Sequence, residues 1–196
     1  ARRCGLREPE LETLAAIGAL APFGISRRAA LWQVARIARP AGPLLDGLED
    51  RDPSPLPEMT PPEETLADFD GTQLTLGPHP VAYLREALRR KGVVAAVDLP
   101  RYRHGDRVRV AGSVIVRQRP GTAKGLLFIT LEDETGMSQA IVQPELLRKH
   151  RRLVVGASGL VVEGVVQKRD GTISVRGERF WGLHDLAAAT PSHDFH

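Results

Sequence analysis

The chain has 196 residues, with 27 Lys and Arg against 24 Asp and Glu, one Cys and a hydrophobic share of 42%. That length allows one or two domains, and that share of apolar residues supports a packed core. The single cysteine, Cys4, excludes an internal disulfide and argues against a cysteine-built metal site, which fits a reducing cytoplasm. No run approaches the roughly twenty apolar residues of a membrane span, and no signal peptide is expected.

The net charge of +3 conceals segregation. Residues 1–40 carry seven Lys or Arg and three Asp or Glu, residues 41–70 carry one and nine, and residues 101–181 carry fifteen and eight. Two basic modules joined by an acidic connector point to a polyanionic partner for the modules. The opening ARRCGLRE lacks a methionine, which is compatible with a piece of a longer protein.

Taken in order, residues 9–17 read as a helix, with Leu11, Leu14, Ala15 and Gly18 on one face. Gly18-Ala19 breaks it, Leu20 to Phe23 form a short apolar turn, and Gly24 ends that turn. Ser26 is placed to cap a second helix over 27–38, whose Ala30, Leu31, Val34 and Ile37 face a core. Trp32 is assigned to that core. Residues 1–39 therefore read either as a helix-hairpin-helix module for duplex DNA or as a plain helical pair. In the first reading the backbone N–H groups around Gly18 and Ala19 meet a phosphate. Arg27 and Arg28 oppose the helix dipole at the start of the second helix, and a bound phosphate would offset that cost.

Seven of the fifteen prolines lie between Pro40 and Pro62, so residues 40–62 read as an acidic, semi-extended linker. Thr60 with Glu63 forms a capping-box signal for a helix over 62–69. Residues 63–106 read as a helical connector. Val81, Leu84 and Leu88 give a helix over 79–91, ended by Gly92, with His79 as a turn residue. The late cations Arg85, Arg89, Arg90 and Lys91 suit the dipole of that helix and need no ligand.

Residues 107–181 then alternate apolar and polar in five short runs: 107–117, 126–132, 137–143, 160–167 and 172–179. In the first run Val108, Val110, Val114 and Val116 face inward, and Gly112 marks a bend. Pro144 opens a helix over PELLRKHRRL between the third and fourth runs. Asp170-Gly171 signals a hairpin between the last two. The order β-β-β-α-β-β is that of a five-stranded OB-fold barrel, so the chain as a whole reads as α+β. Such barrels bind oligonucleotides on the strand 2–3 face and with the loops 1–2 and 4–5. The first of these loops carries Arg117, Arg119 and Lys124, and the second carries Lys168 and Arg169.

On the second strand Leu127, Ile129 and Leu131 read as buried. Phe128 and Thr130 then lie outside, with Phe128 either a base-stacking platform or, since both faces are apolar, a core residue. The last strand places Ile173 and Val175 inward, and Ser174 and Arg176 outward. Asp133 and Glu134 read as turn formers facing different ways. The tail, 182–196, is expected to be mobile. His193 and His196 lack the further ligands of a metal site.

Three stretches carry a resemblance: GALAPFGISRRAALW, LTLGPHPVAYLREAL and RVRVAGSVIVRQRPGTAKGLLFITLEDETGMSQAIV, with SHDFH at the end. Together they resemble the C-terminal part of bacterial error-prone DNA polymerases, C-family enzymes related to the replicative polymerase III α subunit. The acidic connector carries none of the resemblance. What it implies is a DNA-directed polymerase acting in translesion synthesis and damage-induced mutagenesis, with DNA, mutagenesis accessory proteins and the sliding clamp as partners. It also implies that the palm carboxylates holding two Mg2+ ions lie upstream, so this chain itself has no catalytic residue and no cofactor. Gly18, Ala19, Arg27 and Arg28 would hold duplex. Arg117, Arg119, Lys124, Lys168, Arg169 and Arg176, with Phe128, would hold single-stranded template without reading sequence. A protein-recruiting OB adaptor, an anticodon-binding barrel and the replicative α subunit are the alternatives. The SHDFH ending argues against the last.

Overall fold

The computed structural model describes residues 5–37, 54–169 and 171–188. Expectations for Cys4, the linker up to residue 53, Asp170 and the tail histidines lie outside these residues. The chain divides into two compact units after Pro78, so residues 63–106 are shared between them.

The first unit holds α1 (Glu8–Ala16), a 3-10 turn (Ala21–Phe23), α2 (Arg27–Ile37) and α3 (Pro61–Thr72). The small side chains of Ala15 and Ala30 are fully buried with Val34, which lets α1 and α2 pack closely, and Leu11, Leu20, Ile25 and Leu31 surround them. Ser26 accepts the Ala29 N–H at 3.3 Å, the cap expected for α2. Trp32 is only half-buried and lies outside this cluster, with the Arg36 guanidinium 5.9 Å from its ring centre. The capping box at α3 is present, with Glu63 accepting the Thr60 N–H at 2.8 Å. α3 packs on α1 and runs longer than its apolar pattern indicates, Thr72 bonding back to the Asp68 carbonyl at 2.8 Å.

In the second unit the expected helix over 79–91 is two pieces, a 3-10 turn (Pro80–Leu84) and α4 (Arg85–Arg90). His79 Nδ1 accepts the Val81 N–H and starts the turn. β1 (Val93–Val94) and a 3-10 turn (Ala96–Arg101) lead into the barrel: β2 (Arg107–Gln118), β3 (Leu127–Asp133), β4 (Gly136–Val142), β5 (Gly159–Arg169) and β6 (Thr172–Gly182). The sheet order is β1-β2-β3-β4-β6-β5, closed by a β2–β5 pairing. β4 and β6 run parallel and the other barrel pairs antiparallel. This is a closed, mixed, five-stranded OB barrel.

Closure depends on β2 serving two neighbours. Residues from Arg107 to Ser113 pair with β5, and residues from Ser113 to Gln118 pair with β3. The change of partner falls at Ser113, next to Gly112, where a Cβ would stand 2.5 Å from the Glu132 carbonyl oxygen, so only glycine fits. A bulge between Val114 and Val116 then shifts the alternation. Val116, expected inside, is exposed for that reason, as is Ile115.

The core contains Val108, Val110, Leu127, Ile129, Leu131, Val142, Leu160, Val162, Val175 and Phe180. A second cluster covers the other side of β2 and β5 with Val81, Leu88, Val93, Ala111, Val161 and Leu183. Leu183 opens α7 (Leu183–Ala188), so the start of the tail is packed helix rather than loose chain. The helix over PELLRKHRRL is in fact α5 (Pro144–Lys149) and α6 (Arg151–Gly156), broken at His150, with Leu147 and Val154 buried. Ordinary alternation and amphipathicity thus build the barrel, while its closure rests on one glycine and one bulge.

Candidate nucleic-acid interface

β3 alternates cleanly, with Leu127, Ile129 and Leu131 buried and Phe128 and Thr130 on the outer face. Phe128 sits opposite Gln118 of β2 and Ile141 of β4, and Ile141 sits opposite Arg176 of β6. Gln118, Phe128, Ile141 and Arg176 therefore form one row across three strand pairs, an apolar centre with a polar end on each side. Arg176 is 43% exposed and lies 3.5 Å from Glu178. Ser174, expected outside, is nearly buried although it alternates with the inward Val175.

The loop cations separate into distinct environments. Arg119 and Lys124 are exposed in the β2–β3 loop. Arg117 turns inward, its Nε donating to the Val154 carbonyl at 2.9 Å and its Nη2 to the Ala157 carbonyl. It caps the C-terminal end of α6. Burial pulls its guanidinium below the usual value, though Arg at these values stays charged.

Lys168 spends its ammonium on the Pro100 carbonyl at 2.8 Å, while Arg169 is exposed. The two loops leave opposite ends of β2. The β2–β3 loop follows Gln118, and the β5–β6 hairpin runs past Arg107, where Lys168 N–H meets His104. The loops flank the outer face from its two ends and do not converge.

In the first unit, Gly18 has φ 77 and the Arg27 side chain lies over it. The Gly18 and Ala19 N–H groups donate to the Ala15 and Leu14 carbonyls. Arg27 donates to Asp68 at 2.6 Å, and its side chain is 18% exposed. Arg28 pairs with Glu63 at 3.0 Å. Carboxylates of α3 thus relieve the clash of these arginines with the α2 dipole that a phosphate was expected to relieve. Burial raises the Asp68 carboxyl, but hydrogen bonds from Arg27 and Thr75 outweigh it and leave it below the ordinary range.

Asp133 and Glu134 do not face different ways. Arg85 reaches both, donating through Nη2 to Asp133 at 2.9 Å and through Nε to Glu134. Asp133 also accepts from the Ala96 and Thr135 N–H groups. Burial raises its carboxyl, yet these donors and the Arg85 charge hold it below the usual carboxylate range. Sequence spacing gives no hint of this pairing, because Arg85 and Asp133 are 48 residues apart. Glu163, nearly buried, is held low chiefly by the Arg109 hydrogen bond at 2.5 Å, with Arg179 and Arg107 adding their charges. Among the described residues, no cluster of His, Cys, Asp and Glu is arranged to hold a metal, and no helix is long and apolar enough to cross a membrane.

One basic group had a signal in the sequence but no assigned role. Arg148, Lys149, Arg151 and Arg152 surround the α5–α6 break, and all four are exposed.

The barrel's class follows from its strand order and closure, and residues 108–181 match the family described as OB-fold nucleic acid binding domain. Over almost its entire length the chain is a homologue of one segment of the bacterial error-prone DNA polymerases. It is 44% identical over 187 residues to the error-prone DNA polymerase of Caulobacter vibrioides, covering 91% of this chain and 17% of that protein. It is 41% identical over 196 residues to that of Cutibacterium acnes, covering 100% and 17%. The chain thus spans less than a fifth of the length of these relatives. Among solved structures, asparaginyl-tRNA synthetase from Pyrococcus horikoshii aligns at 29% identity over 46% of this chain and 22% of that one, with a TM-score of 0.39.

Proposed function

We propose that this chain is the C-terminal DNA-binding portion of an error-prone DNA-directed DNA polymerase that acts in translesion synthesis and damage-induced mutagenesis. The observation that carries the reading is the Phe128–Ile141–Arg176 row, an aromatic and a cation on either side of Ile141 on the outer face of a nucleic-acid-type barrel. Phe128 would stack an unpaired template base, and Arg176, Arg119, Lys124 and Arg169 would meet phosphates. Every base has a π-face, so stacking tolerates damaged template.

The first unit would hold primer–template duplex as a helix-hairpin-helix element. With the Gly18, Ala19 and Ala29 N–H groups and the Arg27 and Arg28 side chains engaged, the contact would fall to the backbone N–H groups of Arg27 and Arg28 at the start of α2. Catalytic Mg2+ would be held elsewhere in the polymerase. Asp133 and Glu134 do not fit that task, since both are already engaged by the Arg85 guanidinium. Accessory mutagenesis proteins and the sliding clamp are the partners such a polymerase would use.

The test is fluorescence anisotropy of a labelled oligo-dT with the 196-residue chain and Phe128→Ala. Stacking predicts a loss of about 1–3 kcal/mol per base with unchanged melting. Equal binding by the two proteins would remove Phe128 from the interface. Capture of accessory proteins without any oligonucleotide binding would favour an adaptor.

A further inference from the structure

We propose that the break between α5 and α6, together with Arg119, forms a groove that takes the phosphates of single-stranded DNA as the strand leaves the barrel face. The inference rests on the nucleic-acid reading of the barrel and adds a site outside the face and loops considered so far.

Most of the barrel's other arginines are satisfied internally. Arg85, Arg107, Arg109 and Arg179 have carboxylate partners, and Arg117 has two carbonyls. The α5–α6 cations differ. Arg148, Lys149, Arg151 and Arg152 occupy four of five consecutive positions, and none has an ion pair or side-chain hydrogen bond among the described residues. Glu145 is the one acidic residue between 143 and 158. Like charges held this close raise the free energy of the folded chain unless an anion joins them.

The shape of the surface matches its charge. Arg119, Pro144, Leu147, Arg148 and Arg151 line a cavity of about 300 Å3. A second cavity of about 770 Å3 runs along residues 148–156 and shares Arg148 and Arg151 with the first. Three arginines therefore share one cavity with the apolar side chains of Pro144 and Leu147. Guanidinium forks match phosphate oxygens in pairs, and an apolar floor suits the sugar or base of one unstacked nucleotide. A duplex offers no such base, which favours a single strand.

The groove follows the outer-face row closely along the chain. Phe128 and Ile141 are opposite one another, and Val142 pairs with Leu127 just before Pro144. Across the loop, a Cβ on Gly125 would lie 3.4 Å from Pro144 and 3.5 Å from the Arg119 Nη2. A strand stacked on Phe128 would thus meet groove cations from both segments that flank the row, Arg119 before β3 and Arg148 and Arg151 after β4. The groove is rigidly mounted. Val154 is fully buried, the His150 ring stands 5.7 Å from Phe180, and Arg117 caps α6 from β2. Arg117 is a positioning residue for the groove.

The experiment measures binding of fluorescein-labelled dT15 to the full chain between 50 and 200 mM salt. For Arg119→Ala/Arg148→Ala/Arg151→Ala the slope of log K against log salt should become less negative by about 2, from ~0.7 per lost phosphate contact on a single strand. The matching triple Lys variant should keep the wild-type slope, and melting temperatures should agree. If the Ala triple variant melts early, Arg148→Ala alone carries the test, with an expected change of about 0.7.

A wild-type chain that binds dT15 while the variants retain its slope overturns the groove and leaves the barrel reading standing. A wild-type chain that does not bind dT15 overturns both. An equal slope change on a 15-bp duplex overturns the single-strand assignment. Loss of polyglutamate binding with dT15 binding intact would show an acidic-protein surface, and would likewise overturn the proposal.

Discussion

The helical unit and the barrel unit treat their arginines in opposite ways. Arg27 and Arg28 sit at a helix start that disfavours cations, and α3 supplies Asp68, Glu63 and Glu64 to neutralise them. At the α5–α6 break an even denser basic group makes no ion pair among the described residues, although Glu145 lies one helical turn before Arg148 and Lys149. Both groups read alike as basic runs in sequence. What separates them is whether another segment of the chain brings carboxylates to the same place. A positive charge count therefore measures capacity for a polyanion only after internal pairing has been subtracted.

That contrast can be broken by removing charges from each class. The largest effect is expected at Arg85, the one cation paired with both Asp133 and Glu134 among the described residues. Arg85→Ala strands a buried carboxylate, and thermal unfolding should show a loss near the low end of the roughly 3–5 kcal/mol typical of broken buried pairs. A barrel that melts as before would mean the pair is merely decorative.

Next comes Asp68→Asn, which replaces the charged partner of Arg27. A loss of about 1.5–3 kcal/mol is expected, in line with hydrogen bonds to charged groups, and amide exchange in α2 and α3 should accelerate.

Acid should act through the same groups. The folded-state values of Asp133 and Asp68 are depressed, so their stabilisation is complete above the unfolded value and is lost as pH falls through the lower folded one. Melting temperature should therefore drop below about pH 4, and more shallowly in Asp68→Asn. A flat profile over that range would contradict both ion pairs.

A smaller effect, about 1 kcal/mol, is expected for Arg117→Ala, since the carbonyls of Val154 in α6 and of Ala157 just after it lose their donor. Amide exchange confined to α6 should report it. Arg148→Ala should not lower the melting temperature, since it relieves like-charge repulsion, while it should alter the salt dependence of DNA binding. A drop in melting temperature there would show that Arg148 belongs with the paired class after all.

Much of the barrel was legible in the chain. The runs 107–117, 126–132, 137–143, 160–167 and 172–179 fall on the five barrel strands, because alternation reports directly on a half-buried strand. Phe128 stayed open between outer face and core, because both faces of its strand are apolar in sequence, and the burial pattern of β3 puts it on the outer face. Val116 could not be placed correctly, since a bulge resets the alternation and leaves no mark in composition. His150 was not recognisable as a helix break, because its position is set by the Phe180 ring and by two buried anchors on either side. The loop cations were legible as charges and not as ligands. Arg117 and Lys168 find carbonyl oxygens that are distant in sequence, at Val154 and Pro100.

Sequence by itself determined the strand order, the capping of α2 and α3, the buried set of β3 and the segregation of charge. Each of these depends on neighbours within a few residues or on a period of two. Tertiary structure alone decided which cations remain free, that the two basic loops leave opposite ends of β2, and that Arg119 shares a groove with Arg148 and Arg151. Those outcomes depend on contacts between residues tens of positions apart. Local periodicity carries no information about such contacts, and Coulomb interactions act on distance in space rather than along the chain.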